Sequence, residues 1–236
     1  MYSDIFCRVY NEFGWNYYPE AFAEQLLQML RERELNIRSC LDLGCGTGIL
    51  CHHLRQNGIA PRGLDLSPGM IAIAREEFPG IPFDVGDMTA FSYDTPFDLV
   101  TCTGDAINHL PQLELVENCF RRVYENLAPG GYFVFDLLDE KEVSDSEPFE
   151  MDFSETVRVW FQMTRPRENQ VCLTVRVYEA GVLTLEEQIR ETLHDPQVIL
   201  RMLADVGFEI LKCGHRLPES GDGNAATWFL IARKEC

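Results

Sequence analysis

The sequence predicts an α/β fold: a doubly wound, seven-stranded, mostly parallel sheet with an antiparallel β-meander inserted after its fifth strand. Three observations carry this reading. Short apolar runs alternate with helical periodicities between residues 39 and 138, which implies right-handed crossovers between parallel strands. Between about 155 and 193 the pattern changes to three long, alternating, β-branched stretches joined by turn residues, the pattern of antiparallel strands. Two further strand-like runs close the chain.

The elements follow in order. Pro19 suits a first helical turn, and "EAFAEQLLQMLRERE" sets Phe22, Leu26, Leu27 and Leu30 at helical spacing, predicting an amphipathic helix over 19–34. "SCLDL" (39–43) reads as a buried strand and "GILCHHLRQN" as a helix stopped by Gly58. "APRGLDL" (60–66) holds the second strand, and Ser67-Pro68 caps and starts a helix running to about Glu77. "IPFDVGD" (81–87) and "FDLVTCT" (97–103) are the third and fourth strands. "QLELVENCFRRVYENL" is a long helix, and "APGG" turns it into "YFVFDLL" (132–138), the fifth strand. "DEKEVSDSEPFEMD" is acidic and reads as nearly structureless. "ETVRVWFQMT", "QVCLTVRVYEA" and "VLTLEEQIRETL" form the meander, separated by "RPREN" and "AG". Asp195-Pro196 starts a helix that ends at Gly207, and "FEILKCGH" and "ATWFLIARK" close the sheet as an antiparallel pair. The organisation expected is a helical lid segment over 1–36, an α/β domain over 37–139 and 195–236, and an inserted substrate lid over 140–194.

The chain has 236 residues, 46% of them hydrophobic, enough to bury a core in one domain with an insertion. It has no run of about 18 apolar residues, so no membrane partner is expected. The first twenty residues carry early acids and no apolar core, so a signal peptide is not expected. Nine cysteines without a CxxC pair read as reduced thiols of a cytoplasmic protein. A net charge of −18 repels phosphate backbones, and no basic stripe offsets it, so nucleic acid is not an expected partner.

"LDLGCGTGIL" (41–50) carries the first functional signal. A strand, a glycine turn and a helix make a nucleotide-type binding unit, because glycines let backbone approach a ligand closely. The dinucleotide fingerprint is G-x-G-x-x-G. Here Gly44, Gly46 and Gly48 alternate and Ile49 stands where the last glycine belongs, which disfavours a dinucleotide-dependent oxidoreductase. "LDLGCGTG" instead resembles motif I of the class I S-adenosylmethionine-dependent methyltransferases. Three further motifs follow in that family's order: Asp65 in "GLDLSPGM", 17 residues after Gly48; Asp87 in "VGDM"; and "LAPGG" at 127–131. The resemblance covers about residues 38–138. It implies a Rossmann-like fold and S-adenosylmethionine as cofactor, with Asp65 meeting the ribose hydroxyls and Asp87 the adenine amino group. Asp42 and the turn formed by Gly44, Cys45, Gly46 and Gly48 would meet the methionine ammonium, with Cys102 assigned to the same site. A carboxylate supplies the two acceptor oxygens that vicinal hydroxyls need. Leu66, Met70 and Met88 suit the adenine faces, though Met70 reads equally as a core residue of its helix.

The stretch "TCTGDAINHL" (101–110) follows the fourth strand, where substrates of such sheets bind. It lacks the Asn/Asp-Pro-Pro-aromatic motif of enzymes that methylate exocyclic amines of nucleic acids, and no Pro-Cys pair of cytosine enzymes occurs. With the meander, it resembles the small-molecule branch, which methylates sugar amines and glycine-like amines. The activity implied is in-line methyl transfer to an amine or hydroxyl by a monomer or homodimer. A cofactor-binding protein without transferase activity is the alternative. Asp105 and His109 are the candidate catalytic residues, His109 reading as a base or as a structural donor in its loop. Asn108, Tyr18 and Trp15 are candidates for substrate binding. Residues such as Trp160, Phe161 or Arg176 of the insertion are expected to reach the acceptor pocket. No metal site is expected.

Overall fold

The computed structural model describes residues 3, 6–7, 10–12, 14–141, 143–214 and 227–235. Helix α1 (Tyr17–Glu32) leads into β1 (Ser39–Leu43), α2 (Ile49–Gln56), β2 (Ala60–Asp65), α3 (Pro68–Glu77), β3 (Phe83–Val85) and β4 (Phe97–Cys102). A 3-10 turn (Ala106–His109) precedes α4 (Leu113–Asn126) and β5 (Leu127–Leu138). Four more strands follow: β6 (Phe149–Asp152), β7 (Val157–Arg167), β8 (Gln170–Glu179) and β9 (Val182–Thr192). Helix α5 (Pro196–Val206), β10 (Phe208–Gly214) and β11 (Thr227–Lys234) complete the described chain. His215 and Ala226, expected at the ends of the closing pair, lie outside the described residues.

The main sheet has the order β10-β11-β5-β4-β1-β2-β3. Strands β1 to β5 pair in parallel. β11 runs antiparallel to β5, and β10 antiparallel to β11. From β1 the chain winds outward through β2 to β3, then crosses back to β4 on the other side of β1. That reversal leaves a crevice beyond the carboxyl ends of β1 and β4. The alternation of β5 sorts its side chains between two cores. Phe133, Phe135 and Leu137 pack with Phe120 and Leu203 on the α4–α5 face, while Val134 joins Phe22, Leu26 and Leu54 on the α1–α2 face. The caps expected at Ser67 and Asp195 form, accepting from Met70 N at 3.4 Å and Gln197 N at 2.8 Å.

The second sheet is antiparallel with the order β6-β7-β8-β9. Its first strand corrects the expectation that 139–152 lacks structure. Phe149–Asp152 is exposed throughout and pairs only with β7, so backbone pairing forms it where no burial pattern could announce it. "LAPGG" likewise belongs to the start of β5, with Gly130 at φ 76°.

Asn108 ties the two sheets together. It is fully buried, donates from Nδ2 to Thr192 O at 2.8 Å at the end of β9, and accepts from Leu138 N at 3.1 Å at the end of β5. Asn108→Ala should therefore cost about 2–4 kcal/mol, because two buried backbone groups lose their partner at once. Urea unfolding of the two proteins measures this, and a loss below about 1 kcal/mol would mean that other groups take over both bonds.

Candidate functional site

A cavity of about 570 Å³ lies at the crevice beyond β1 and β4. One wall is the glycine turn after β1. The turn is pinned by Gly44 N and Cys45 N, which both donate to Leu64 O, at 2.8 and 3.2 Å. Gly44 (φ 67°) and Gly46 (φ 53°) need left-handed backbone. A Cβ on Gly44 would lie 2.8 Å from Ala106 Cβ, and one on Gly46 would project into open space. Gly44, Cys45 and Gly46 line the cavity. Gly48 is not among the lining residues: a Cβ there would lie 2.6 Å from Phe83 Cζ and 3.2 Å from Ala74 Cβ, so this glycine lets α2 start close against α3 and β3.

Three acids meet this wall. Asp65, at the end of β2, accepts from Gly46 N at 2.9 Å and Ser67 N at 2.8 Å, one amide per oxygen. Burial raises its carboxyl and the two amides partly offset this. Asp42 is 3% exposed and accepts the Thr101 hydroxyl at 2.7 Å and the Cys51 thiol at 3.8 Å. Burial pushes its carboxyl up to about 7, and the charges of Asp65 and Asp136 push the same way. Asp87 is held by Thr89, whose amide and hydroxyl donate to Oδ1 at 2.7 and 2.8 Å. Leu66 and Met88 line the cavity as well. Met70 touches its edge but is buried in the core formed with Val159 and Val175. Cys102 is placed elsewhere: it is wholly buried behind β4 among Leu43, Ile107 and Phe135.

The other end of the cavity is built on Asp136, at the carboxyl end of β5. This fully buried acid accepts from Gly104 N at 2.9 Å, Asp105 N at 3.0 Å and the Tyr18 hydroxyl. It thus joins α1, β5 and the loop after β4. Asp105 sits at φ 60° and lines the cavity. Burial raises its carboxyl well above the usual range, helped by the charges of Asp136 and Glu191. Glu191 enters from β9, and its Oε1 lies 3.6 Å from His109 Nε2. Burial lowers the His109 imidazole, so it is neutral near pH 7, and raises Glu191. Tyr18 and Trp15 line the cavity, with Tyr10 beside Trp15 at 5.5 Å between ring centroids. Asn108 does not line it; its buried amide is the inter-sheet tie.

The insertion contributes β9 rather than the residues expected. Trp160 and Arg176 stack on each other at 4.4 Å away from the cavity, and Phe161 supports Trp15 from behind at 5.7 Å. Asp136 and Glu191 were missed by sequence reasoning. Asp136 carried a usable signal, an acid inside the apolar run "FVFDLL" like Asp42 inside "CLDL". Glu191 carried none, being one of several acids on its strand. The arrangement provides carboxylates for hydroxyls and cations at one end, and a neutral imidazole beside acids at the other. A buried carboxylate held by a hydroxyl and a thiol, and an opening bared by glycine, fit a ligand with an ammonium and a ribose.

A protein-family model described as "Methyltransferase domain" matches residues 40–131. A dTDP-4-amino-2,3,4,6-tetradeoxy-D-glucose N,N-dimethyltransferase of Saccharopolyspora spinosa is 30% identical over 135 residues, 57% of this chain and 53% of that protein. The chain thus spans about half the length of that relative. A putative methyltransferase of Geobacillus sp. is 26% identical over 96% of both chains. An amino pentose methyltransferase of Micromonospora echinaspora, solved with S-adenosylmethionine bound, superposes with a TM-score of 0.77 at 23% identity, over 99% of this chain and 98% of that one.

The raised Asp42 carboxyl makes a pH prediction. In the ligand-free protein Asp42 holds its proton to about pH 7, whereas an unfolded aspartate loses it near pH 4. The stability this proton carries is complete below the unfolded value and is lost as pH rises through about 7. Asp42→Asn removes that loss, so its stability relative to wild type should rise by about 2–4 kcal/mol between pH 4 and pH 8. Urea titrations at the two pH values check this, and a difference that does not change with pH would assign Asp42 an ordinary carboxyl.

Proposed function

We propose that the chain is a class I S-adenosylmethionine-dependent methyltransferase that transfers a methyl group to an amine of a small-molecule acceptor. The single observation that carries the choice of an amine is a neutral His109 3.6 Å from Glu191, at the end of the cavity that Asp105 also lines. The Saccharopolyspora relative is named for a dTDP-linked amino sugar, so amino sugars, free and nucleotide-linked, are the first acceptors to try. The net charge of −18 supports a small-molecule acceptor over a nucleic acid. The described cysteines are all free, which supports the cytoplasmic placement, and no described helix is long and apolar enough to cross a membrane. We assign residues 1–36 and 140–194 as the two covers of the cofactor-binding part, which comprises 37–139 and 195–236, in a monomer or homodimer.

When bound, S-adenosylmethionine supplies a methyl group on a sulfonium, open to in-line displacement. The chain's residues do the rest. Asp65 binds the ribose hydroxyls, Asp42 faces the methionine ammonium and Asp87 takes the adenine amine, with Leu66 and Met88 against the ring. Asp105 orients the acceptor as its ammonium. His109 takes the proton that frees the nitrogen lone pair, and Glu191 stabilises the imidazolium that results. Tyr18, Trp15 and β9 exclude water. Orientation and desolvation of this kind carry most of the rate in a displacement at an activated carbon, and a positioned base adds about 10²–10⁴-fold.

Asp65→Ala strands two ribose hydroxyls and should weaken binding of S-adenosylhomocysteine by about 10–100-fold, one to two steps of 1.4 kcal/mol. Calorimetry with this demethylated product reads the effect directly. Equal affinity in wild type and variant would remove Asp65 from the cofactor site.

A further inference from the structure

The charge lining the cavity restricts the acceptor further. Five carboxylate side chains line it, from Asp42, Asp65, Asp87, Asp105 and Glu187, against one guanidinium, from Arg190. On the cofactor side Asp42, Asp65 and Asp87 are accounted for by the reading above. On the acceptor side Asp105, Glu187 and the adjoining Asp136 and Glu191 remain.

Arg190 does not balance them. Successive side chains of a strand point to opposite faces. On β9 the half-buried residues are Glu187, Ile189 and Glu191, while Gln188 and Arg190 are exposed. Arg190 borders the cavity but is exposed, and it donates to Gln188 Oε1 at 3.0 Å. The half-buried face of β9 therefore brings two acids and an isoleucine, while its one cation bordering the cavity, Arg190, stays exposed.

A second observation points to what the acids receive. Tyr10 and Trp15, with rings 5.5 Å apart, line the same cavity. Tyr10 lies close enough to Asp65, Asp105 and Glu191 for all three charges to act on its hydroxyl. Aromatic faces beside carboxylates attract organic cations. Among the described residues no group of three or more His, Cys, Asp or Glu could hold a metal ion, so a metal does not claim this cluster.

We propose that the acceptor is a small organic cation whose amine is not attached to a phosphate or nucleoside diphosphate, bound as an ammonium over Asp105, Asp136 and Glu191 and against the rings of Tyr10 and Trp15. The inference rests on the methyl-transfer reading of the cavity and narrows it to acceptors without an anionic handle. A nucleoside diphosphate carries two or three negative charges, and among the described residues the cavity lining sets five acidic residues against one exposed arginine, Arg190.

Calorimetry on the full chain tests this, with three probes added to protein saturated with S-adenosylhomocysteine: D-glucosamine, 1,4-diaminobutane and thymidine diphosphate. At least one amine should bind about tenfold or more tightly than thymidine diphosphate. Glu191→Gln, which keeps the side chain's shape, should weaken that amine about tenfold, and Tyr10→Leu should weaken it severalfold. Arg190→Ala should leave amine affinity within about twofold, as expected of an exposed charge. S-adenosylhomocysteine affinity should stay intact in all three variants, which also reports that they fold. Tighter binding of thymidine diphosphate than of both amines, or no saturable amine binding at all, overturns the proposal. Failure of the wild type to bind S-adenosylhomocysteine would instead overturn the methyl-transfer reading beneath it.

Discussion

The site is organised by carboxylates buried at the ends of parallel strands, where desolvation penalises their charge. Asp42 lies one residue before the end of β1, Asp65 ends β2 and Asp136 lies near the end of β5. Each is held by neutral donors: amides for Asp65, a hydroxyl and a thiol for Asp42, two amides and a phenol for Asp136. Neutral donors offset only part of the cost of burying a charge, and all three carboxyls are raised in consequence. The same donors fix the loops. Asp65 shapes the glycine turn through Gly46, and Asp136 draws α1 and the loop after β4 toward one point.

The antiparallel sheet completes the cavity through a small number of contacts. Asn108 links the end of β5 to the end of β9. That link sets β9 so that Glu191 comes within 3.6 Å of His109. Val159, Val175 and Val177 pack on Phe6 and Met70, so the sheet's apolar face is buried against α3 and the first residues of the chain. Its opposite face carries charge pairs such as Arg176 with Glu186 at 2.6 Å. Thus docking of the meander brings four consecutive residues of β9, Glu187 to Arg190, to the cavity.

Much of the fold was legible because periodicity and caps point the same way. The parallel strands alternate with helices, a pattern that implies right-handed crossovers and a parallel sheet. Asp42, Asp65 and Asp87 stood out because each lies close to the end of a strand, beside a glycine or a helix start. What escaped has physical reasons. Phe149–Asp152 is an exposed edge strand with no buried face to set a pattern. Gly48 and Cys102 lie in the right segments, but packing against Phe83 and against the α4 core claims them. Asn108 is polar and follows β4 as a substrate contact would, yet two buried backbone groups take its amide. The inward face of the meander depends on its docking, which alternation along one strand does not contain. Glu191 became visible only with that docking, and Asp136 was overlooked although an acid within an apolar strand is a costly placement.

Buried acids that await cations give up protons when a cationic ligand binds, and proton release on binding is the direct measure of this. Asp42, with its carboxyl near 7, is largely protonated at pH 6.5 in the free protein and must ionise to meet an ammonium. Calorimetric titration with S-adenosylhomocysteine at pH 6.5, in buffers of different ionisation enthalpy, counts the protons. The account predicts release of roughly half to one proton per molecule bound, absent in Asp42→Asn. Binding without proton release, or release unchanged in Asp42→Asn, would contradict it.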